Sequence, residues 1–159
     1  MNIGLLGGGQ LGLMMIEAAK KLNHNVIVLD SDKNCPAKKK CNEFINADFA
    51  DKIALYKLAD KCETFTIENE NVPTASLKLL SKFGPVRPNA ECVELCQNRI
   101  KEKNFVSKIG IPVVPFLKIL NKKDCEKVPS DFFPAILKTA EFGYDGKGQE
   151  VVKNIDETK

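Results

Sequence analysis

The chain has 159 residues, of which 43% are hydrophobic and 28% charged, with a formal net charge of +3. These proportions are typical of globular proteins and exclude collagen-like, mucin-like and acidic low-complexity sequences. The length allows one domain, or one domain with part of a second. The basic side chains are spread along the chain, and no segment approaches the roughly 18 apolar residues of a membrane span. Neither nucleic acid nor a membrane is therefore predicted as a partner.

The first half of the chain predicts strands and helices in alternation. In chain order, the predicted elements are a strand at 2–6, a helix at 11–22, strands at 25–30 and 43–47, a helix at 52–61, a strand at 64–67 and a helix at 74–82. Alternation of this kind implies an α/β fold, with a parallel sheet that carries helices on both faces.

The pattern changes after the Gly84-Pro85 pair. The predicted elements are then helices at 90–97 and 98–108, a strand at 113–120, a short helix at 122–127 and strands at 135–139 and 150–153. The last two strands flank a glycine-rich segment, which indicates a hairpin with the glycines at its tip. The change of pattern predicts a domain boundary near residue 100.

A first glycine loop, Gly7-Gly8-Gly9-Gln10-Leu11-Gly12, matches the pattern G-x-G-x-x-G between a predicted strand and a predicted helix. Backbone N–H groups and the helix dipole favour a phosphate at such a loop. Asp30 ends the second strand, where dinucleotide-binding folds place a ribose-binding acid, so an NAD-dependent reductase is one hypothesis. A different phosphorylated ligand, or a turn whose glycines serve packing only, are the others.

Later motifs separate these hypotheses. The chain offers a single histidine, His24, as an imidazole acid or base for a reductase. Instead, Glu68-Asn69-Glu70-Asn71-Val72-Pro73 follows the fourth strand, where open α/β sheets meet their ligands. Lys138 ends a predicted buried strand and suits contact with a phosphate, and the loop 143–149 can close over further phosphates through its N–H groups and Lys147. Two such loops suggest two phosphorylated ligands.

The six cysteines predict reduced thiols in the cytoplasm, because they are unevenly spaced and form no C-x-x-C pair. Cys92 and Cys96 lie four residues apart on a predicted helix. Two thiolates without further cysteines or a nearby histidine make an incomplete zinc site, so no metal site is predicted here.

Five motifs together closely resemble the N5-carboxyaminoimidazole ribonucleotide synthetase family, a branch of the ATP-grasp superfamily. They are the glycine loop 7–12, the segment 68–73, Gln97-Asn98-Arg99 with Glu102-Lys103, Gly110-Ile111-Pro112-Val113, and Leu137-Lys138-Thr139 leading into Gly143-Tyr144-Asp145-Gly146-Lys147-Gly148-Gln149. The resemblance implies a Rossmann-like pre-ATP-grasp domain at 1–97, followed at 98–159 by the beginning of an ATP-grasp domain.

The resemblance also implies an activity. It is that of a cytoplasmic, ATP-dependent ligase of de novo purine biosynthesis, which joins bicarbonate to the amino group of 5-aminoimidazole ribonucleotide and releases ADP and phosphate. ATP and Mg²⁺ are the implied cofactors, and a homodimer is the favoured assembly. An NAD-dependent reductase that uses Asp30 is kept as the alternative, and a non-catalytic regulatory or scaffold domain is a third class.

Site residues follow from the same resemblance. Those expected to bind ATP are Arg99, Lys138, Gly143, Tyr144, Asp145, Gly146, Lys147, Gly148 and Gln149. Those expected to bind the ribonucleotide are Gly9, Gln10, Leu11 and Glu70. No catalytic residue or metal ligand is assigned.

Three departures from the family pattern stand out. Ala140-Glu141-Phe142 occupies positions where members tend to have arginines just after the strand lysine, and Leu13 replaces a common arginine in the first helix. Fewer cations predict a weaker hold on phosphates, or a charge supplied differently. Members are also more than twice as long, with their magnesium ligands in the second half. We therefore expect this chain to be a fragment that does not turn over alone.

Overall fold

The computed structural model describes residues 1–143 and 147–158, and it forms two compact units, Met1–Glu94 and Leu95–Lys159. The predicted domain boundary after residue 97 stays a prediction. Within the described part of the chain, no helix combines the length and the apolar character needed to cross a bilayer.

The first unit is built on a five-stranded sheet in which every pairing is parallel. The strands are β1 (Asn2–Leu6), β2 (Asn25–Asp30), β3 (Glu43–Asn46), β4 (Thr64–Ile67) and β5 (Val86–Arg87), in the spatial order β3-β2-β1-β4-β5. At the carboxyl edge, Leu6 of β1 is paired with Leu29 on one side and with Ile67 on the other. The predicted parallel α/β fold is confirmed, and the ends of β1, β2 and β4 meet at one edge.

Helices cover both faces of this sheet, as the alternation of elements predicts. They are α1 (Gln10–Lys21), α2 (Lys52–Lys61), α3 (Thr74–Leu80) and α4 (Ala90–Cys96). Leu6, Leu29 and Phe65 belong to a buried cluster that includes residues of α2, α3 and α4. Leu5 and Val28 belong to a second cluster that includes residues of α1. Successive residues of one strand therefore face opposite layers, which explains the consecutive apolar residues Leu5-Leu6 in β1 and Val26–Leu29 in β2.

Helix α2 shows how a local signal sets an element's bounds. Asp51 precedes it, and its Oδ1 accepts hydrogen bonds from the N–H groups of Ile53 at 2.8 Å and Ala54 at 3.2 Å. Such a cap satisfies N–H groups that have no partner within the helix. The helix then buries Leu55 and Leu58 against the sheet.

The second unit contains α5 (Arg99–Lys108), α6 (Lys122–Cys125), β6 (Ala135–Lys138) and β7 (Gln149–Val152). Strands β6 and β7 are antiparallel, and Lys138 lies opposite Gln149 at the end of the pairing. The predicted hairpin is confirmed. Three-residue and four-residue 3-10 helices, Ser130–Phe132 and Ile155–Thr158, flank it along the chain.

Two predictions about the second half are wrong. The segment 113–120 forms no strand, and its Val114 and Leu120 are more than two-thirds exposed. Pro115 lies within the segment and has no N–H to donate to a sheet, and none of the described strands pairs with it. Strand β6 is also not buried, since Ile136 and Leu137 are exposed. A sheet with two described strands has too little surface around it to enclose them.

Candidate functional site

The first glycine loop makes a tight turn between β1 and α1. Gly7 has a φ of +105°, a conformation that residues with a side chain rarely adopt, and its N–H donates to the carbonyl of Leu29 at 3.0 Å. A Cβ placed on Gly12 would lie 2.8 Å from the Gly7 carbonyl oxygen. The loop therefore needs glycine both to turn and to let helix α1 approach the end of β1.

The N-terminus of α1 offers N–H groups to a ligand. Gly9 is the N-cap residue, no side chain caps the helix, and its first turn holds no acidic residue. The side chains of Gln10 and Leu11 are exposed beside it. A helix of 12 residues with an uncapped N-terminus favours an anionic group there. Three of the four residues predicted to contact the ribonucleotide, Gly9, Gln10 and Leu11, lie at this position.

Asp30 holds the glycine loop in place through hydrogen bonds to the backbone. Its Oδ2 accepts a hydrogen bond from the Gly8 N–H at 2.6 Å, and its Oδ1 accepts one from the Asp32 N–H at 2.7 Å. Both carboxylate oxygens are thus engaged by the backbone. A dinucleotide site needs the acid at this position for a ribose hydroxyl and the loop N–H groups for a pyrophosphate. The geometry gives Asp30 a structural role and does not favour the reductase hypothesis.

Glu68 contributes a second carboxylate, and the sequence analysis did not select it. Its N–H donates to the carbonyl of Leu6 at 2.9 Å, which continues the β1–β4 pairing by one residue. A Cβ on Gly7 would lie 2.7 Å from Cβ of Glu68, and a Cβ on Gly9 would overlap Oε1 of Glu68. The half-buried Glu68 therefore lies against the glycine loop, held by a 3.1 Å bond from Asn69 Nδ2 to Oε2.

Glu70, the predicted ligand, is exposed two residues further along the chain. The available signal for Glu68 was the sheet register. Since Ile67 pairs with Leu6, the next residues, Glu68 and Gly7, must lie side by side. The loop consequently presents N–H donors and a carboxylate acceptor together, which suits a ligand with both a phosphate and hydrogen-bond donors.

The second glycine-rich loop closes on Thr139. The Thr139 N–H donates to the carbonyl of Gly148 at 2.8 Å, and Gly148 has a φ of +67°. A Cβ on Gly148 would lie 2.5 Å from Oγ1 of Thr139, and one on Gly143 would lie 2.9 Å from the same atom. Lys138 and Gln149 stand on either side of this loop base and are exposed. The glycines let both ends of the loop approach one hydroxyl group.

Arg99, the other predicted cation, is the first residue of α5 and is half-buried. Its N–H donates to the carbonyl of Ala140 at 2.9 Å, two residues beyond Lys138. Lys147 is exposed. The predicted ligands Tyr144, Asp145 and Gly146 lie outside the described residues. The structure therefore brings the backbone of Arg99 close to the end of the strand that carries Lys138.

Metal and thiol chemistry find little support in the described residues. Across residues 1–143 and 147–158, no group of three histidine, cysteine or acidic side chains could hold a metal ion. These residues do not complete a magnesium site, so no chemical step is assigned to one here. Burial raises the pKa of the Cys62 thiol to about 12, with a smaller contribution from the neighbouring Glu63 carboxylate. Such a thiol is a poor nucleophile at neutral pH.

Comparison with known proteins matches both halves of the chain to family models. The ribonucleotide synthetase preATP-grasp domain matches residues 1–97, and the ATP-grasp domain matches residues 104–159. N5-carboxyaminoimidazole ribonucleotide synthase of Staphylococcus aureus is 39% identical over 154 residues, which are 96% of this chain and 41% of the relative. The synthase of Staphylococcus epidermidis is 39% identical over 98% of this chain and 42% of its own length. The chain thus spans about two-fifths of these relatives.

Solved structures agree with this result. The Staphylococcus aureus synthetase complexed with ADP has a TM-score of 0.91 at 37% identity and is matched over 99% of this chain and 42% of its own. The synthase of Aspergillus clavatus in complex with ADP and 5-aminoimidazole ribonucleotide has a TM-score of 0.84 at 30% identity, over 98% of this chain and 41% of its own. The chain belongs to the ribonucleotide synthetase preATP-grasp domain family, with the start of an ATP-grasp domain following it.

Proposed function

We propose that this chain provides ligand-binding parts of an ATP-dependent ligase that carboxylates 5-aminoimidazole ribonucleotide with bicarbonate, giving N5-carboxyaminoimidazole ribonucleotide, ADP and phosphate in purine biosynthesis, and that the 159 residues alone do not turn over. The observation that carries the proposal is the 39% identity to the Staphylococcus aureus synthase, which extends over 154 residues and so includes both glycine loops. The Aspergillus clavatus relative, whose structure contains ADP and 5-aminoimidazole ribonucleotide, supports the same pair of ligands.

The first unit is the proposed ribonucleotide site. The N–H groups at Gly9, Gln10 and Leu11 would receive the phosphate, because no side chain caps this helix end. The carboxylate of Glu68 would accept hydrogen bonds from amino or hydroxyl groups of the same ligand, and the exposed Glu70 stays a proposed second acceptor. A substrate that is both an anion and a donor matches this mixture of groups.

The second unit is the proposed ATP site. Arg99 and Lys138 form no ion pair within the described residues, so their charges are available to phosphate oxygens. The proposal adds Gly143, Lys147, Gly148 and Gln149 as described members of the loop. Fixed cations and N–H donors stabilise the charge that develops as a phosphoryl group moves from ATP to bicarbonate. The amine of the ribonucleotide would then displace phosphate from the resulting carboxyphosphate.

Compartment and assembly belong to the same proposal. All six cysteines are free thiols, as expected for an enzyme of the reducing cytoplasm. The family resemblance favours a homodimer. Sedimentation equilibrium of the 159-residue chain over a tenfold concentration range checks the assembly, and a single monomer mass would contradict it.

The experiment that tests the proposal is an amide-resolved NMR titration of the full chain. 5-Aminoimidazole ribonucleotide, Mg²⁺ with ADP, and NADH are added separately. We expect saturable shifts at Gly9, Gln10 and Leu11 with the ribonucleotide, and at Arg99 and Lys138 with ADP. Shifts at Asp30 with NADH, and none with the ribonucleotide, would replace the ligase proposal by the reductase.

A pair of charge-neutralising variants sharpens this titration. Glu68→Gln keeps the shape of the side chain and removes its charge, so we expect about a tenfold loss of ribonucleotide affinity. Glu17→Gln removes an equal charge from the exposed face of α1 and serves as the control. Equal affinities for both variants would remove Glu68 from the proposed site.

A further inference from the structure

We infer that Glu141 is a positioning residue that holds Arg99 at a fixed place relative to Lys138. The inference rests on the proposed function, since it concerns the two cations of the proposed ATP site. It gives a role to a residue that stands where the family pattern favours arginine. The role depends on two hydrogen bonds between the start of α5 and the residues that follow β6.

The first bond runs through Asn98, the N-cap residue of α5. Its Oδ1 accepts from the N–H groups of Ile100 and Lys101, both at 3.0 Å. Its Nδ2 donates to Oε1 of Glu141 at 2.7 Å. The two functions fix the orientation of the amide, because the oxygen must face the helix and the nitrogen is left for the carboxylate. Asn98 therefore links the helix end to Glu141.

The second bond joins backbone to backbone. The N–H of Arg99 donates to the carbonyl of Ala140 at 2.9 Å. Ala140 and Glu141 are the second and third residues after Lys138, and Thr139, which lies between Lys138 and Ala140, is held by its bond to Gly148. The N-cap residue and the first residue of α5 are thus bonded to two adjacent residues that follow β6. A pair of bonds restricts rotation about the junction, which a single bond would allow.

The junction is important because of the positive charges near the loop. With Ala140 and Glu141 in place of arginines, Arg99, Lys138 and Lys147 are the basic side chains near the loop that the proposal can use. Glu141 is exposed, so solvent screens its charge, and its contribution lies mainly in the bond it accepts. A carboxylate beside the first turn of α5 also complements the helix dipole. The spacing of the cations then depends on this bond.

Four variants of the full chain test the inference. Glu141→Ala removes the acceptor. Asn98→Asp keeps a good N-cap but sets a second carboxylate against Glu141, so the bond is lost. The double variant Asn98→Asp with Glu141→Gln restores the bond in reverse, because the introduced amide donates to the introduced carboxylate, and it keeps the net charge. Glu150→Gln, on the exposed part of β7, is the control for a change of charge in the same unit.

Two readouts are measured on each variant: hydrogen exchange of the Arg99 amide without ligand, and the affinity for ADP with Mg²⁺ by calorimetry. We expect faster exchange and about a tenfold weaker affinity for Glu141→Ala and Asn98→Asp. The double variant should recover both to within about twofold, and Glu150→Gln should match the original chain.

Unchanged exchange and affinity in Asn98→Asp would overturn the inference, as would a double variant that recovers neither. If the original chain does not bind ADP, the ATP site of the proposed function fails. The exchange of the Arg99 amide still decides in that case whether Glu141 positions Arg99, so the two failures are distinguishable.

Discussion

The two units hold their glycine loops by different means. In the first unit, the loop joins strand β1 to helix α1, and this unit contains nearly all of the buried apolar side chains in the described part of the chain. In the second, Cys125 and Val152 alone among the described apolar residues are buried. There the loop is fixed by hydrogen bonds of Thr139, Asn98 and Arg99. The first loop therefore depends on a core, and the second depends on a few polar contacts.

This difference predicts different responses to mutation. A loop tied to a cooperative core keeps its shape until the whole unit unfolds, whereas a loop held by a few exposed bonds can open locally. Damage to the first loop should appear as lost stability. Damage to the second should appear as lost binding, with any loss of stability confined to the loop and its surroundings.

The largest expected effect comes from the core beneath the first loop. Phe65 is 1% exposed, and Phe65→Ala should lower the free energy of unfolding of the first unit by about 3–5 kcal/mol. Urea titration followed by amide signals of both units measures it. Phe142→Ala also removes a phenyl ring, but one that is 80% exposed, so it should change the free energy of unfolding by less than about 0.5 kcal/mol. Comparable losses in the two variants would contradict the contrast between the units.

Replacing Asp30, which holds the first loop by hydrogen bonds, should give the next largest effect. Asp30→Asn places an amide NH₂ where one carboxylate oxygen accepts a backbone N–H, so we expect a loss of about 2 kcal/mol in stability. The same urea titration measures the change. Asp48→Asn is a milder comparison, because Asp48 accepts a single bond, from the Ala50 N–H. A fully stable Asp30→Asn chain would show that the Gly8 bond does not hold the loop.

In the second unit, glycine substitution should separate crowding from backbone strain. Gly148 and Gly110 both have positive φ, but a Cβ would meet Thr139 at Gly148 and nothing within 4 Å at Gly110. Each alanine variant should lose about 1–2 kcal/mol of local stability. A loss of ADP affinity, measured by calorimetry, is expected for Gly148→Ala only. An equal loss for Gly110→Ala would mean that strain, not the fit around Thr139, governs the loop.

The smallest effect at neutral pH concerns Cys62. Its pKa is raised from 9.0 to about 12 in the folded chain, so the unfolded chain releases its proton first as the pH rises. This contribution to stability is complete below pH 9 and is lost between about pH 9 and 12. Urea midpoints of the first unit at pH 8 and 10.5 measure the loss. Cys62→Ala should reduce the drop in stability between pH 8 and 10.5, whereas Cys92→Ala, which removes an exposed thiol, should leave that drop unchanged.

Local sequence signals predicted much of the first unit. The bounds of β1, β2, β4 and α2 match the prediction, because the strands are short segments rich in apolar or β-branched residues and α2 begins after a capping residue. Strand β5 was not predicted, since its two residues lie between prolines and pair through the sheet alone. The motifs also predicted the family.

Contacts between distant residues were the part that local patterns missed. Glu68 faces the glycine loop only because β4 pairs with β1 in one register. Glu141 could be noted as a departure from a family pattern, but its bond to Asn98, 43 residues away, follows from tertiary structure. The segment 113–120 has the hydrophobicity of a strand, yet a strand also needs a neighbour to accept and donate its hydrogen bonds.

The pairing of β4 with β1 also limits how this chain can change in length during evolution. Side chains alternate between the faces of a strand, so deleting one residue between Thr64 and Glu68 would turn the next side chain toward the opposite face. Asn69 would then replace Glu68 beside the glycine loop. Insertions in the turn before β4 leave that register intact. Families with this unit should therefore tolerate length variation before β4 and very little within it.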